Sequence, residues 1–148
     1  MNNSVDDNKY ELAINELCDE YNITILHPKY KHMSGRAWLS IRSISIPVYM
    51  TTPYSFMVAL HEINHVILND IIPIADYKYT YLLEYEVERM TILLARSYEF
   101  LSDADIYNYT QHAHQYIVDI FNRENSNDEL IMDFNVAMWA GQTRYTAQ

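Results

Sequence analysis

Two histidines and a glutamate stand in the run VALHEINHVIL, residues 58 to 68. On a helix, His61 and His65 project from one side about 6 Å apart along the axis, close enough for both imidazoles to reach one ion. Glu62 lies on the flank of that pair, within reach of a water beside the ion. Two imidazole ligands with an adjacent general base form the His-Glu-x-x-His arrangement of zinc hydrolases. The surroundings are apolar: Phe56, Leu60, Ile63 and Ile67 make the main stripe, and Val58, Ala59, Val66 and Leu68 fill the other faces. Such a helix is expected to be buried. Unpartnered polar groups there would cost about 1 to 3 kcal/mol each, a cost that a coordinated metal removes.

Catalytic zinc takes three protein ligands and leaves one position for water. The segment EYEVER supplies the candidates. Glu84 and Glu88 share a helix face, and Glu86 lies about 160° round from either. Position favours Glu84 as the ligand, because Glu88, one turn on, is then placed to accept a hydrogen bond from a ligand imidazole. Glu86 is the alternative ligand.

The elements that must position these groups are legible from periodicity and punctuation. Residues 7 to 21 carry Leu12, Ile14, Leu17 and Tyr21 near helical spacing, and NITILH is a short β-rich run. After Gly35, read as a turn, Ile44, Ile46 and Val48 alternate with Ser43, Ser45 and Tyr49, the period of a half-buried strand. Pro47 cannot donate to a ladder, so this reads as an edge strand. Thr52 and Pro53 predict the start of the next helix, which runs to about Asn69. Pro73 breaks a loop, and Leu83, Val87, Met90 and Leu94 mark another helix. Further helices are predicted after Ser102, with Asp105 three on, and after Ser126, with Glu129 three on as a capping box. The sum is an α+β, mainly helical single domain over residues 1–148, with about five helices and a small antiparallel or mixed sheet of two or three short strands.

Composition bounds the setting. A net charge of −10, with 10 Lys plus Arg, repels phosphate backbones and anionic lipid heads; direct nucleic-acid and membrane binding are disfavoured, and a basic protein surface is the better partner. The single cysteine, Cys18, excludes an internal disulfide framework and fits a reducing interior. MNNSVDDNKY lacks the basic and apolar regions of a signal peptide, and no apolar run is long enough to span a membrane. A cytoplasmic location is expected. The 14 tyrosines suit no particular function.

GRAWLSIRSISIPVYMTTPYSFMVALHEINHVIL followed by EYEVERMTILLA resembles the ImmA/IrrE-type zinc metallopeptidases of bacteria and their phages, and more broadly the gluzincins. The likeness covers residues 35 to 95, and the metal motif is its specific part. The resemblance implies a zincin-like minimal metallopeptidase fold, with strands before the His-Glu-x-x-His helix and a glutamate ligand on the next helix. Laid on this sequence the ligands to Zn2+ are His61, His65 and Glu84. Val87, Glu88, Met90 and Thr91 stand where the family has Ala, Asn, Phe and Ala; Asn64 replaces a common glycine, and LLARSY stands where the family has an LLMP ending. It also implies a mechanism: zinc acidifies a water, Glu62 takes its proton, and the hydroxide attacks a peptide carbonyl. Residues 43 to 49 are the candidate strand for pairing with an extended substrate. Tyr109, His112 and Tyr116 share a helix face and are candidates for oxyanion stabilisation or a second metal site, with His114 on another face. The stripe Ile106, Tyr109, Ala113, Ile117, Ile120 favours a core or surface role for them. His27 and His32 receive no role.

Two functions follow. One is a zinc endopeptidase cutting a specific regulatory protein, by the resemblance a repressor or host factor targeted by a phage or mobile element. The other is a zincin-shaped binding or inhibitor protein, an anti-defence or anti-repressor factor whose acidic surface meets a basic partner without proteolysis.

Overall fold

Thr52 opens the central helix as its sequence predicts. In a computed structural model describing residues 3–26, 35–47 and 50–141, with side chains from residue 9 on, its hydroxyl accepts from Ser55 N while Ser55 Oγ accepts from Thr52 N. That reciprocal cap, with Pro53 in the first turn, starts helix α2 at Pro53–Ile71. The described chain is mainly helical, with five helices and one small sheet: α1 Asn3–Tyr21, β1 Thr24–Leu26, β2 Arg36–Trp38, β3 Ser43–Ser45, α2, α3 Thr80–Ala95, α4 Asp103–Glu124 and α5 Phe134–Trp139. No described helix is long and apolar enough to cross a membrane.

Apolar side chains all round α2 bury it among α1, α3, α4 and the sheet. Phe56, Met57, Ala59, Leu60 and Ile63 are fully buried. Phe56 is the centre of an aromatic cluster, its ring 5.4 Å from Tyr10 and 5.1 Å from both Tyr98 and Phe100. Offset and edge-to-face pairs of this kind add about 0.5 to 1.5 kcal/mol each beyond the area they bury. The cluster fixes the N-terminal half of α2, one turn before the metal-ligand motif.

The sheet has the order β1-β3-β2, with β3 parallel to β1 and antiparallel to β2. The predicted edge strand is therefore the central one. Pairing stops at Ser45, before Pro47, so the missing N–H of Pro47 is never asked to join the ladder. Val48 and Tyr49, the rest of that predicted strand, lie outside the described residues, as do His27 and His32. A 3-10 turn at Leu39–Ile41 leads into β3 through Arg42, a left-handed residue at φ 48°. Its guanidinium bonds the Tyr21 carbonyl at the end of α1 and the Asp70 carboxylate near the end of α2.

The helix predicted to begin at Ser126 does not form there. Asn125 ends α4 and its side chain accepts from Leu130 N, while Asp128 takes a left-handed conformation. The helix starts instead after Asp133, whose carboxylate accepts from the N–H groups of Asn135 and Val136. A carboxylate meeting two free amides at a helix N-terminus outcompetes the serine seven residues earlier.

Candidate metal centre

Helix α2 delivers His61 and His65 one turn apart, and α3 lies against it so that Glu84, Glu88 and Thr91 face them, buried. The Nε2 atoms of the two histidines are 3.1 Å apart. Glu84 closes the triangle, with Oε1 3.1 Å from His65 Nε2 and Oε2 3.3 Å from His61 Nε2. The two carboxylate oxygens each face one imidazole, so the three groups converge, with one donor atom from each lying within 4.8 Å of the others. Among the described residues, His61, His65 and Glu84 are the group of three that could hold a metal ion.

Two further observations fit a cation. Among the described residues the buried Glu84 Oε2 accepts no well-formed hydrogen bond. His61 Nδ1 lies 3.0 Å from Glu88 Oε1, so an Nδ1–H donated to that carboxylate leaves the Nε2 lone pair facing the other two donors. Glu88 is itself held: Tyr109, buried, donates its hydroxyl to the same oxygen at 2.7 Å. In the metal-free chain protons take the cation's place. Burial works against a charged His61, but the Glu84 and Glu88 carboxylates outweigh it and raise its pKa to about 10. Burial likewise opposes the Glu84 charge, and the bonds and charges of His61 and His65 overcome it, holding Glu84 at about 2.

Glu88→Gln is expected to weaken metal binding about 10- to 100-fold while the fold persists, because the amide keeps the shape but loses the charge that orients His61. Competition with a chromogenic chelator reads this; an unchanged affinity would remove Glu88 from the site.

Glu62, in contrast, accepts no hydrogen bond among the described residues, though only 8% exposed. Burial raises its pKa above the ordinary carboxylate value, partly offset by the two histidines. It lines a cleft of about 390 Å³ between α2 and α4, with His61 beside it and Tyr54, His112 and Tyr116 on the walls. Gly35, immediately before β2, lies against Glu62: a Cβ there would stand 2.8 Å from Glu62 Cγ. Its position suggests a turn from sequence alone, and its rarity, one of 2 glycines in the chain, is the signal that marks it.

The other predicted residues divide clearly. Glu86 is half-buried and lines a different cavity with Tyr77 and Arg89, away from the triad. Tyr109 is committed to Glu88. His114 packs on Trp139, ring centroids 4.4 Å apart, and burial lowers its pKa. His112 and Tyr116 reach the cleft, and no second metal group forms among the described residues. Asn64 and Thr91 meet: the buried Asn64 amide donates to Thr91 Oγ1 at 3.0 Å, and Thr91 donates to the Val87 carbonyl.

No protein-family model, curated protein or solved structure gives a significant match to this chain.

Proposed function

We propose that the chain is a zinc-dependent endopeptidase of zincin type, of the kind the ImmA/IrrE-like resemblance implies, acting on a specific regulatory or host protein. The observation that carries the reading is Glu62: a buried carboxylate, bonded to nothing in the described chain, beside a three-donor cation site and open to a cleft. A purely structural metal site has no use for it. His61, His65 and Glu84 would hold the ion, and a donor set of two imidazoles and one carboxylate suits zinc. Bound there, zinc supplies Lewis acidity, polarising a carbonyl and acidifying water toward neutral pH.

The remaining work falls to side chains. Glu62, its pKa raised by burial, takes up a proton from water at its carboxylate and returns it to the leaving amine. Glu88, gripped by Tyr109, keeps the proton of His61 on Nδ1. β3 is paired on both sides, which leaves β1 and β2 as the edges of the described sheet, and of these β2 is the one preceded by Gly35, which lies against Glu62, so β2 is the strand offered to an extended substrate. The net charge of −10 favours the second reading, a binding protein for a basic partner, but that reading leaves Glu62 without a role.

The deciding experiment is elemental analysis of protein purified without added metal or affinity tag. About one zinc per chain, lost in His65→Ala, is the expected result. No metal in either protein would leave the binding-protein reading standing.

A further inference from the structure

The cleft above Glu62 has a chemistry of its own. Its outer walls carry the exposed rings of Tyr54 and Tyr116, 44% and 39% accessible, and its lining includes Asp119 but no lysine or arginine. Asp119, one helical turn beyond Tyr116, receives a hydrogen bond from the neutral Gln115 amide at 2.8 Å and pairs with no cation among the described residues. At the floor stands Glu62, more than nine-tenths buried and likewise unpartnered. Two exposed tyrosine rings beside an Asp119 carboxylate that no described cation pairs match an aliphatic stem that ends in a positive charge.

We propose that this cleft seats a lysine or arginine side chain of the bound polypeptide, its stem against Tyr54 and Tyr116 and its charge at Asp119, so that the segment recognised is basic. The inference rests on the cleft being the substrate groove of the proposed peptidase. The chain's overall negative charge acts in the same direction by drawing basic segments toward it.

The test uses full-length, zinc-loaded Glu62→Gln protein and blocked hexapeptides identical except at one central position, which is Arg, Lys, Gln or Glu, titrated by calorimetry. The Arg and Lys peptides are expected to bind about tenfold more tightly than the Gln peptide, and the Glu peptide most weakly. In an added Asp119→Asn background the Arg-to-Gln ratio should fall to about twofold, with zinc content unchanged. Equal affinities across the series, no measurable binding by any peptide, or a preference that survives Asp119→Asn would each overturn the proposal. Cleavage of the same peptides by the Glu62 protein separates the two ideas. Asp119-dependent binding without cleavage would sink the peptidase and spare the basic-side-chain site; cleavage indifferent to the varied residue would do the reverse.

Discussion

Glu62→Gln is expected to lower hydrolysis of the partner protein by about 10²- to 10⁴-fold, the range set by loss of a general base, with zinc content unchanged. The separation of these effects follows from where Glu62 sits. Its carboxylate accepts no hydrogen bond within the described chain, so converting one oxygen to an amide nitrogen orphans no donor. It is not one of the three atoms that converge on the cation position. Burial already disfavours its charge, so a neutral isostere should fold at least as stably. Turnover followed by mass spectrometry, alongside elemental analysis and thermal unfolding, gives all three quantities. Activity within about tenfold of the parent would exclude proton transfer by Glu62 and, with it, the proposed mechanism.

Glu84→Ala should drop bound zinc from about one per chain to near none, whereas Glu86→Ala should keep it. The two glutamates differ by two positions, and the helix turns one toward α2 and the other toward the Tyr77 and Arg89 cavity. A second effect appears in protein stripped of metal with a chelator. There Glu84 stabilises the fold through His61 and His65, and its removal leaves the buried His61 and half-buried His65 imidazoles without their shared carboxylate. A fall in Glu84 pKa from 4.5 to about 2 corresponds to about 3 kcal/mol, in line with the ~3–5 kcal/mol cost of breaking a buried pair. Because the folded value lies below the unfolded one, this contribution is fully present above about pH 4.5 and is lost as pH falls toward 2. His61 contributes in the opposite sense, with stability present below its ordinary value of 6.5 and lost as pH rises through about 10. Urea titrations of parent and Glu84→Ala, both metal-free, should therefore diverge most between those limits and converge in acid. A gap that stays constant down to pH 2 would contradict the pairing.

The parts of this site that were readable in advance are those a single helix dictates. The facing of His61 and His65, the start of α2 at Thr52 and Pro53, and the division of Glu84 and Glu88 from Glu86 all follow from 100° per residue and from capping chemistry. What escaped was decided by distant partners. Strand pairing is non-local, so nothing within ISISIP told that β1 and β2 would flank it on both sides. Ser126 offered a valid local cap, but Asn125 and Asp133 captured the neighbouring amides first. Tyr109 had the spacing of a core residue and is one, yet the acceptor for its hydroxyl lies on α3, 21 residues away. Gly35 matters through a side chain it lacks, which only the approach of Glu62 makes visible.

The bond between Asn64 and Thr91 makes the two positions unequal in what they tolerate. Were Thr91 to become alanine first, the Asn64 amide would stay buried without its acceptor, at a cost of about 1–3 kcal/mol. Were Asn64 to change first, the Thr91 hydroxyl would still be satisfied by the Val87 carbonyl. Asn64 can therefore be replaced while Thr91 stays, whereas Thr91 cannot be replaced while Asn64 stays without that cost, so the order of substitution at the two positions is not free.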